Sequence, residues 1–325
     1  MAIIPKDEKG IALILTITLI GLIVILTLQF GKSIRTGLYE TAGFADGIKL
    51  EAIAKSGFNC ALAVLYKDDS NGDSLQDDWA SLGEYSSYSA NLFDNGGRFE
   101  TTVTDLAGKI QLNRLFNQNG DYILKQKEML KRLLGMTAFN LESDNIEEIL
   151  DAIKDWVDKD NEVTGFGGAE DSYYQSLDRP YSCRNAPFES VDELLLVKGI
   201  TPKLFYGTDE VPGISAYLTV QGDGKININT ADPMVIESLS DDLDSTMVEE
   251  IVAYRNDEKN DLSKPDWYKS AIGTNENYID PALITIKSSY FQIRSRGIKD
   301  SLSKEINAIV KRNDKKLTIL SWEML

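Results

Sequence analysis

The residues best placed to do chemistry lie between Asp155 and Asn185, in the stretch DWVDKDNEVTGFGGAEDSYYQSLDRPYSCRN. Asp155, Asp158, Asp160, Glu162, Glu170 and Asp171 crowd into it, together with Gly165, Gly167 and Gly168. Carboxylates at this density repel one another unless a cation lies between them. Calcium takes about six to eight oxygens in a flexible geometry, and a glycine-bearing acidic loop can supply them. The bland alternative is a solvated acidic loop that caps a helix end. The interleaved Trp156, Tyr173, Tyr174 and Tyr181 argue for a packed loop. Paired carboxylates also serve glycoside hydrolysis, but nothing beyond aromatics marks a sugar cleft here. A second acidic run, Asp68-Asp69-Ser70-Asn71-Gly72-Asp73, lacks the EF-hand spacing and reads as a solvated loop.

The composition removes several other chemistries. The chain has 325 residues, enough for one large domain or a few small ones. It contains no histidine, so the commonest general base, the usual zinc ligand and every histidine-bearing triad are absent. No G-x-S-x-G elbow or C-x-x-C pair occurs. A net charge of −17 repels nucleic acid and anionic headgroups and attracts cations. The two cysteines, Cys60 and Cys183, lie far apart in sequence. One disulfide in an oxidising compartment and two free thiols are both compatible with that spacing.

The acidic region must be carried by the elements around it, and the first of these is apolar. Ile11–Phe30 is an uncharged run of 20 residues, long enough to cross a bilayer as a helix. Inside a membrane its backbone must bond to itself, which leaves the helix as the only single-segment conformation. The flanking Lys and Arg are nearly balanced, so they orient the segment only weakly. A polar leader ending in Lys9-Gly10 precedes it, and no small-x-small peptidase site follows it. A glycine directly before the apolar run resembles a prepilin-type signal, in which a membrane peptidase cuts after the glycine. Cleavage between Gly10 and Ile11 would leave the apolar helix on the mature protein. One departure is Leu15, where most prepilins carry a glutamate that pairs with a neighbour's amine. A carboxylate in hydrocarbon is expensive unless paired, so its loss suits a subunit at a filament end.

Residues 32–66 continue with apolar side chains at helical spacing, and no proline interrupts Gly10–Tyr66. One helix of about 80 Å is expected there, followed by a loop region over 67–97. Arg98–Thr104 alternates and is expected to form a hairpin-like pair with 108–112, turning at Ala107-Gly108. Helices are expected near 122–134, 143–157 and 189–197. Gly108-Lys109-Ile110-Gln111-Leu112-Asn113 is echoed by Gly224-Lys225-Ile226-Asn227-Ile228-Asn229. Each reads as a β-like segment ending at an asparagine able to cap the next helix, so a helical insertion is expected after each. Thr230 is the expected cap of the second insertion, with Pro233 in the first turn and a helix over Met247–Asn256. Ser288–Gly297, Ser303–Arg312 and Lys315–Glu323 then read as an antiparallel meander, with a turn at Asn313-Asp314.

Taken in order, a prepilin-type signal without the glutamate, DW-x-D-x-D, GAED-x-x-Y, P-Y-x-x-x-N, FESVDELLLVKGIT and GKININTA resemble minor pseudopilin K of the type II secretion pathway. The resemblance covers nearly the whole chain. It implies an α+β class, with a pilin-like fold carrying inserted helical domains of the SAM-like or helix-hairpin-helix-like kind. The implied layout is a leader over 1–10, an N-terminal helix over 11–66, and pilin-like loop and strands over 67–112. An inserted helical domain with the acidic loop follows over 113–213, then a strand region over 214–228, a second helical module over 229–286 and C-terminal strands over 287–325. The implied place is the inner membrane with the bulk in the periplasm, at the tip of a short pseudopilus. The implied partners are the I- and J-type minor pseudopilins, the major pseudopilin and the prepilin peptidase, and the implied role is not an enzyme's. Carried over residue by residue, the implied Ca²⁺ ligands are Asp158, Asp160, Glu162, Glu170 and Asp171, with Asn185 beside them. Arg179 departs from the family by standing where a second proline is frequent. Two other classes compete. INTADPMVIESL…MVEEIVAYR resembles a helix-hairpin-helix module of the DNA-uptake type, but its hairpin reads SDDLDST, with carboxylates where phosphate would sit. A signal-anchored periplasmic enzyme is the other, without a local catalytic signature.

Overall fold

The structure, a computed structural model, describes residues 8–93 and 96–325. Residues 1–7 of the expected leader lie outside the described residues, whereas Gly10 and Ile11 sit on the first helix. That helix, α1 (Glu8–Lys67), runs through Gly31 and Gly37 as one element of 60 residues. Its most apolar 18-residue window has a mean hydropathy of 3.0 and is not buried at all. From about Asp46 onward α1 lies on a sheet. Leu50, Ile53, Ala54, Phe58, Ala61 and Leu65 recur at three- and four-residue steps and are buried.

The loop expected over 67–97 contains helix. After a turn-rich segment come α2 (Leu82–Ser86) and a 3₁₀ turn over Ser87–Leu92. Ser89 holds this piece to the sheet, since its hydroxyl donates to Phe99 O and accepts from Phe99 N, both at 2.9 Å. The strand β1 (Arg98–Asp105) buries Phe99, Thr101, Val103 and Asp105 in strict alternation. It does not form the expected hairpin. The next strand, β2 (Ile110–Gln111), turns away and pairs in parallel with β3 (Leu218–Thr219). The partner of β1 is instead β6 (Tyr290–Lys299), antiparallel, far along the chain.

Between β2 and β3 lies the first insertion. It contains α3 (Leu124–Leu134), α4 (Ser143–Val157), α5 (Asp171–Tyr174), a 3₁₀ segment Val191–Leu196 and α6 (Pro202–Tyr206). A second insertion leaves from β4 (Ile226–Asn227), passes through α7 (Pro233–Glu237), α8 (Ser245–Asn256) and α9 (Tyr268–Ala271), and returns as β5 (Ile284–Thr285). β5 pairs in parallel with β4. The repeated Gly-Lys-Ile motif therefore marks two equivalent exits, each closed by a two-residue parallel pair. The expected caps do not form. Asn113 bonds to the backbone of Phe188 and Val220, and Asn229 accepts from the Trp267 indole at 2.7 Å. Asp232, not Thr230, caps α7 by accepting from Met234 N. The C-terminal meander forms as expected from β6, β7 (Leu302–Asn313) and β8 (Lys316–Met324), giving a sheet of order β1-β6-β7-β8.

The chain has two cores. One joins α1 to the inner sheet face through Phe58, Leu65, Trp79, Phe291, Ile293, Ile306 and Val310. The other joins both insertions, from Ile110 and Leu150 to Val235, Ile251 and Ile284. Helix and sheet approach so closely that a Cβ at Gly57 would collide with Thr101 and Ser295, and one at Gly297 with the backbone of Leu50 and Ala54. Small residues are required at that crossing. Cys60 is exposed and Cys183 buried, and both are free thiols.

A buried polar junction connects the two cores. Asp105, at the end of β1, accepts from Asn227 Nδ2 (3.0 Å), Thr230 Oγ1 (2.6 Å), Ser288 Oγ (2.5 Å) and Ala107 N (2.8 Å). Asp73 accepts from Ser288 N at 2.7 Å and pairs with Arg312. Arg312 also reaches Asp68 at 2.8 Å and lies 4.7 Å above the Phe291 ring. Burial, opposed first by Arg312, raises the Asp73 pKa to about 6. Removing one partner of such a buried pair typically costs about 3–5 kcal/mol. Arg312→Met should therefore lose stability on that scale in urea denaturation of the detergent-solubilised chain, and Asp73→Asn in the same background should recover part of it. A loss of under about 1 kcal/mol, the scale of a surface pair, would show the junction to be dispensable.

Candidate metal centre

The acidic stretch is built on the end of α4. Ile146, Ile149, Leu150, Ile153 and Trp156 form its buried face, which fixes where the helix ends. Asp158 is the residue after its last turn, in extended backbone. The chain then loops through Thr164 and returns beneath α4 at Gly167 and Gly168. Gly165 has φ +57°, and a Cβ at Gly168 would run into Asp155 and the Thr164 backbone. Asp155, completely buried, takes up the Thr164 N–H through both oxygens at 3.0 and 3.2 Å. It therefore organises the loop from behind. Trp156, Tyr174 and Tyr181 pack edge-on or tilted beside it, so the loop has an aromatic base.

The fold brings Asp158, Asp160 and Glu170 together, with one carboxylate oxygen from each within 4.8 Å of the others. Asp158 and Glu170 are buried and Asp160 is exposed. Asn185, at φ +49°, closes the fourth side. Its amide donates to Asp160 O (3.1 Å) and Asn161 Oδ1 (3.3 Å). Five buried side-chain polar atoms lack a hydrogen-bond partner among the described residues. Four of them are here, namely Asp158 Oδ1, both Glu170 carboxylate oxygens and Asn185 Oδ1. All four are acceptors. A buried acceptor without a donor costs about 1–3 kcal/mol, so the arrangement calls for a cation or for protons. Glu162 and Asp171 are not part of the cluster. Glu162 is exposed, and Asp171 uses Oδ1 to accept from Cys183 N at 2.7 Å, tying the two ends of the loop together.

The second acidic run is arranged differently. Asp68, Asp73 and Asp77 also converge, but Arg312 already lies against Asp68 and Asp73. Asp77 accepts from Ser74 N at 2.7 Å and from the Trp79 indole at 3.2 Å. These carboxylates are satisfied by the chain itself. In the hairpin-like loop of the second insertion, Asp244 caps α8 by accepting from Met247 N at 2.8 Å. A side-chain carboxylate thus holds the helix end there.

Electrostatics follow from this geometry. Burial raises the Asp158 pKa to about 6, helped by Asp160 and Asp155. Burial, then Asp155 and Asp158, raises Glu170 to about 7. Both pKa values lie above their ordinary 3.8 and 4.5, so the folded chain holds these protons more tightly than the unfolded one. That stabilisation is complete below about pH 4 and is lost as pH rises through 6 and then 7. In chelator, the melting temperature should fall between about pH 5 and pH 8, and Glu170→Gln should fall less. Parallel melting curves for the two proteins across that interval would contradict this assignment.

Comparison with known proteins bears on the whole chain. The profile of the family described as type II secretion system (T2SS), protein K, matches residues 108–207, which hold this loop and most of the first insertion. The chain is 26% identical to type II secretion system protein K of Aeromonas hydrophila over 97% of its own length and 96% of that protein's. It is 25% identical to the protein of the same name from Pseudomonas aeruginosa, over 98% and 93%. It also superposes with a TM-score of 0.68 on a chain of the crystal structure of the GspK-GspI-GspJ complex from the enterotoxigenic Escherichia coli type 2 secretion system. That match is 17% identical and covers 88% of this chain and 99% of the other, so the fold is shared through both insertions. With the long N-terminal helix, the meander and the two insertions in place, the chain is similar over nearly its whole length to type II secretion system protein K.

Proposed function

We propose that this minor pseudopilin caps a secretion pseudopilus and that a calcium ion locks its head. The observation that carries the first half is the mismatch in girth between its two ends. A single helix forms the stem, whereas the head carries two inserted helical units on one four-stranded sheet. A subunit of that shape stacks poorly on itself along a thin filament and fits its end. Leu15 agrees with this, because an uncharged residue at that depth needs no neighbour's amine to pair with. The proposed setting is the inner membrane before assembly, with Ile11–Phe30 as the anchor and the head in the periplasm. The proposed partners are the other minor pseudopilins, of the kind that accompany GspK in the complex it resembles, together with the major pseudopilin and the prepilin peptidase.

Calcium is supported by the donor chemistry. The three converging carboxylates and the Asn185 carbonyl are hard oxygen donors in an irregular loop, the chain has no histidine, and the neighbouring Cys183 thiol donates to Asp155 O at 3.3 Å. An ion there would bridge the end of α4, the 158–161 turn and the start of α5, joining segments that otherwise repel. Glu162 and Asp171 would then act around the site, the first through its backbone bond to Asp160 and the second by fixing Cys183.

Two outcomes test these readings. Adding Ca²⁺ to chelated protein should raise its melting temperature, since a ligand present at about 100 times its dissociation constant stabilises by about 2.7 kcal/mol. Asp158→Ala with Glu170→Ala should abolish the increment, and an unchanged increment would remove calcium from this site. For the tip, Leu15→Glu should alter pseudopilus assembly or secretion in complemented cells, with the mature N-terminus read by mass spectrometry as methylated Ile11. Indistinguishable assembly would count against the tip, and an intact Met1 against the prepilin route.

A further inference from the structure

A second site lies on the opposite face of the sheet from α1. There the outer surface of β6, β7 and β8 faces the first insertion across a groove of about 400 Å³, within the range of ligand-binding clefts. Charges on this face follow the strand register. Arg296 stands in register between Glu100 of β1 and Glu305 of β7, and its guanidinium donates to Ser303 Oγ at 3.0 Å. Arg294, two residues earlier and on the same face, stands between Thr102 and Asn307 instead. The acid in that row, Glu323, is two strands away, opposite Asn307. Another cation, the half-buried Lys109, lines the same groove.

Among the described residues, neither Arg294 nor Lys109 forms a salt bridge or a side-chain hydrogen bond. Burial and then the charge of Arg294 lower the Lys109 pKa, with Asp232 acting the other way. Two cations lining one groove without an ion-pair partner, in a chain of net charge −17, is the reverse of what self-pairing would produce. The acids on the insertion rim are already engaged. Glu189 pairs with Arg184 at 2.6 Å, and Asp192 accepts from Ser190 Oγ at 3.4 Å. Beyond the cations the groove continues over the amides of Gln292 and Asn307 to Leu320, which the bulge in β8 leaves 45% exposed. Tyr206, 65% exposed, stands on the far wall.

We propose that this groove binds an extended acidic peptide segment of another protein. One carboxylate would lie between Lys109 and Arg294, and the next apolar side chain would rest on Leu320 and Tyr206. A free anion would use only the two cations and leave the amide-lined and apolar length idle. Glu323 sets the direction, because it repels an acid at the β8 end of the row. The site is independent of calcium and of the filament position.

The probe is a fluorescein-labelled hexapeptide with two aspartates set between leucines, read by anisotropy against the full chain in detergent. It should bind about tenfold more tightly than the same peptide with asparagines, as charge-assisted bonds require. Lys109→Gln with Arg294→Gln should remove that preference while the melting temperature holds, and Arg294→Lys should keep most of it. Equal binding of the two peptides, or a preference that survives the double substitution, would overturn the proposal. So would inorganic phosphate competing as strongly as the unlabelled peptide, which would reduce the groove to a plain anion site.

Discussion

The structure depends on a few buried polar groups at the place where the chain repeatedly crosses itself. Asp105 ends the first strand, Asn227 and Thr230 open the second insertion, Ser288 opens the meander, and Asp73 leads away from α1. Every one of these segments must pass the same point. A purely apolar contact there would tolerate sliding, because hydrophobic attraction is not directional. Asp105, by contrast, is satisfied only when four separate donors converge on it. Such networks are costly when half made, so the junction selects one register for both cores. It also explains how large insertions are carried without disturbing the sheet. Each leaves and returns through a two-residue parallel pair, and its ends stay side by side whatever lies between.

This arrangement also decides what could be read from the residues in order. The C-terminal meander was legible because each strand pairs with its neighbour in sequence and the turns are short. The repeated Gly-Lys-Ile motif correctly marked two insertions. The hairpin at Ala107-Gly108 was misread because alternation identifies a strand but not its partner. The true partner of β1 is β6, almost two hundred residues away. Residues 82–92 were read as loop because Asp and Asn clusters with Gly mark turns on either side of them. What holds them is tertiary: the Ser89 hydroxyl on Phe99 and the buried side chain of Leu82. The asparagines and Thr230 were misassigned for a related reason. Their local capping chemistry was real, but Thr230 bonds to Asp105 in the junction, Asn229 to the Trp267 indole and Asn113 to the backbone of Phe188 and Val220 instead.

The acidic loop shows the same division at closer range. Its composition raised the expectation of clustered oxygen ligands, and no other part of the chain has as many unsatisfied acceptors among the described residues. Composition did not say which acids converge. Glu162 and Asp171 are as acidic as Asp158 and Glu170, yet one faces solvent and the other anchors Cys183. Convergence is set by the end of α4 and by the glycines that let the loop pass beneath it, both consequences of packing. Asp155 has the opposite character. It lies in the acidic cluster by sequence, but both its oxygens serve the Thr164 backbone, so it shapes the site and raises the proton affinity of its neighbours.

The long helix joins these features to a biological role. A self-contained domain buries its apolar side chains, but α1 leaves Ile34, Leu38, Phe44 and Ile48 largely exposed between the membrane-length segment and the sheet. Burying each of them is worth roughly 1.5–3 kcal/mol, and nothing among the described residues does so. The exposed stretch is therefore apolar surface that the described residues leave uncovered. Because α1 is continuous and is gripped at Gly57 and Gly297, a displacement along the stem is carried into the sheet. From the sheet the Asp73–Arg312 pair leads on to Asn227, at the base of the second insertion. A head joined to its stem in this way moves as the stem moves.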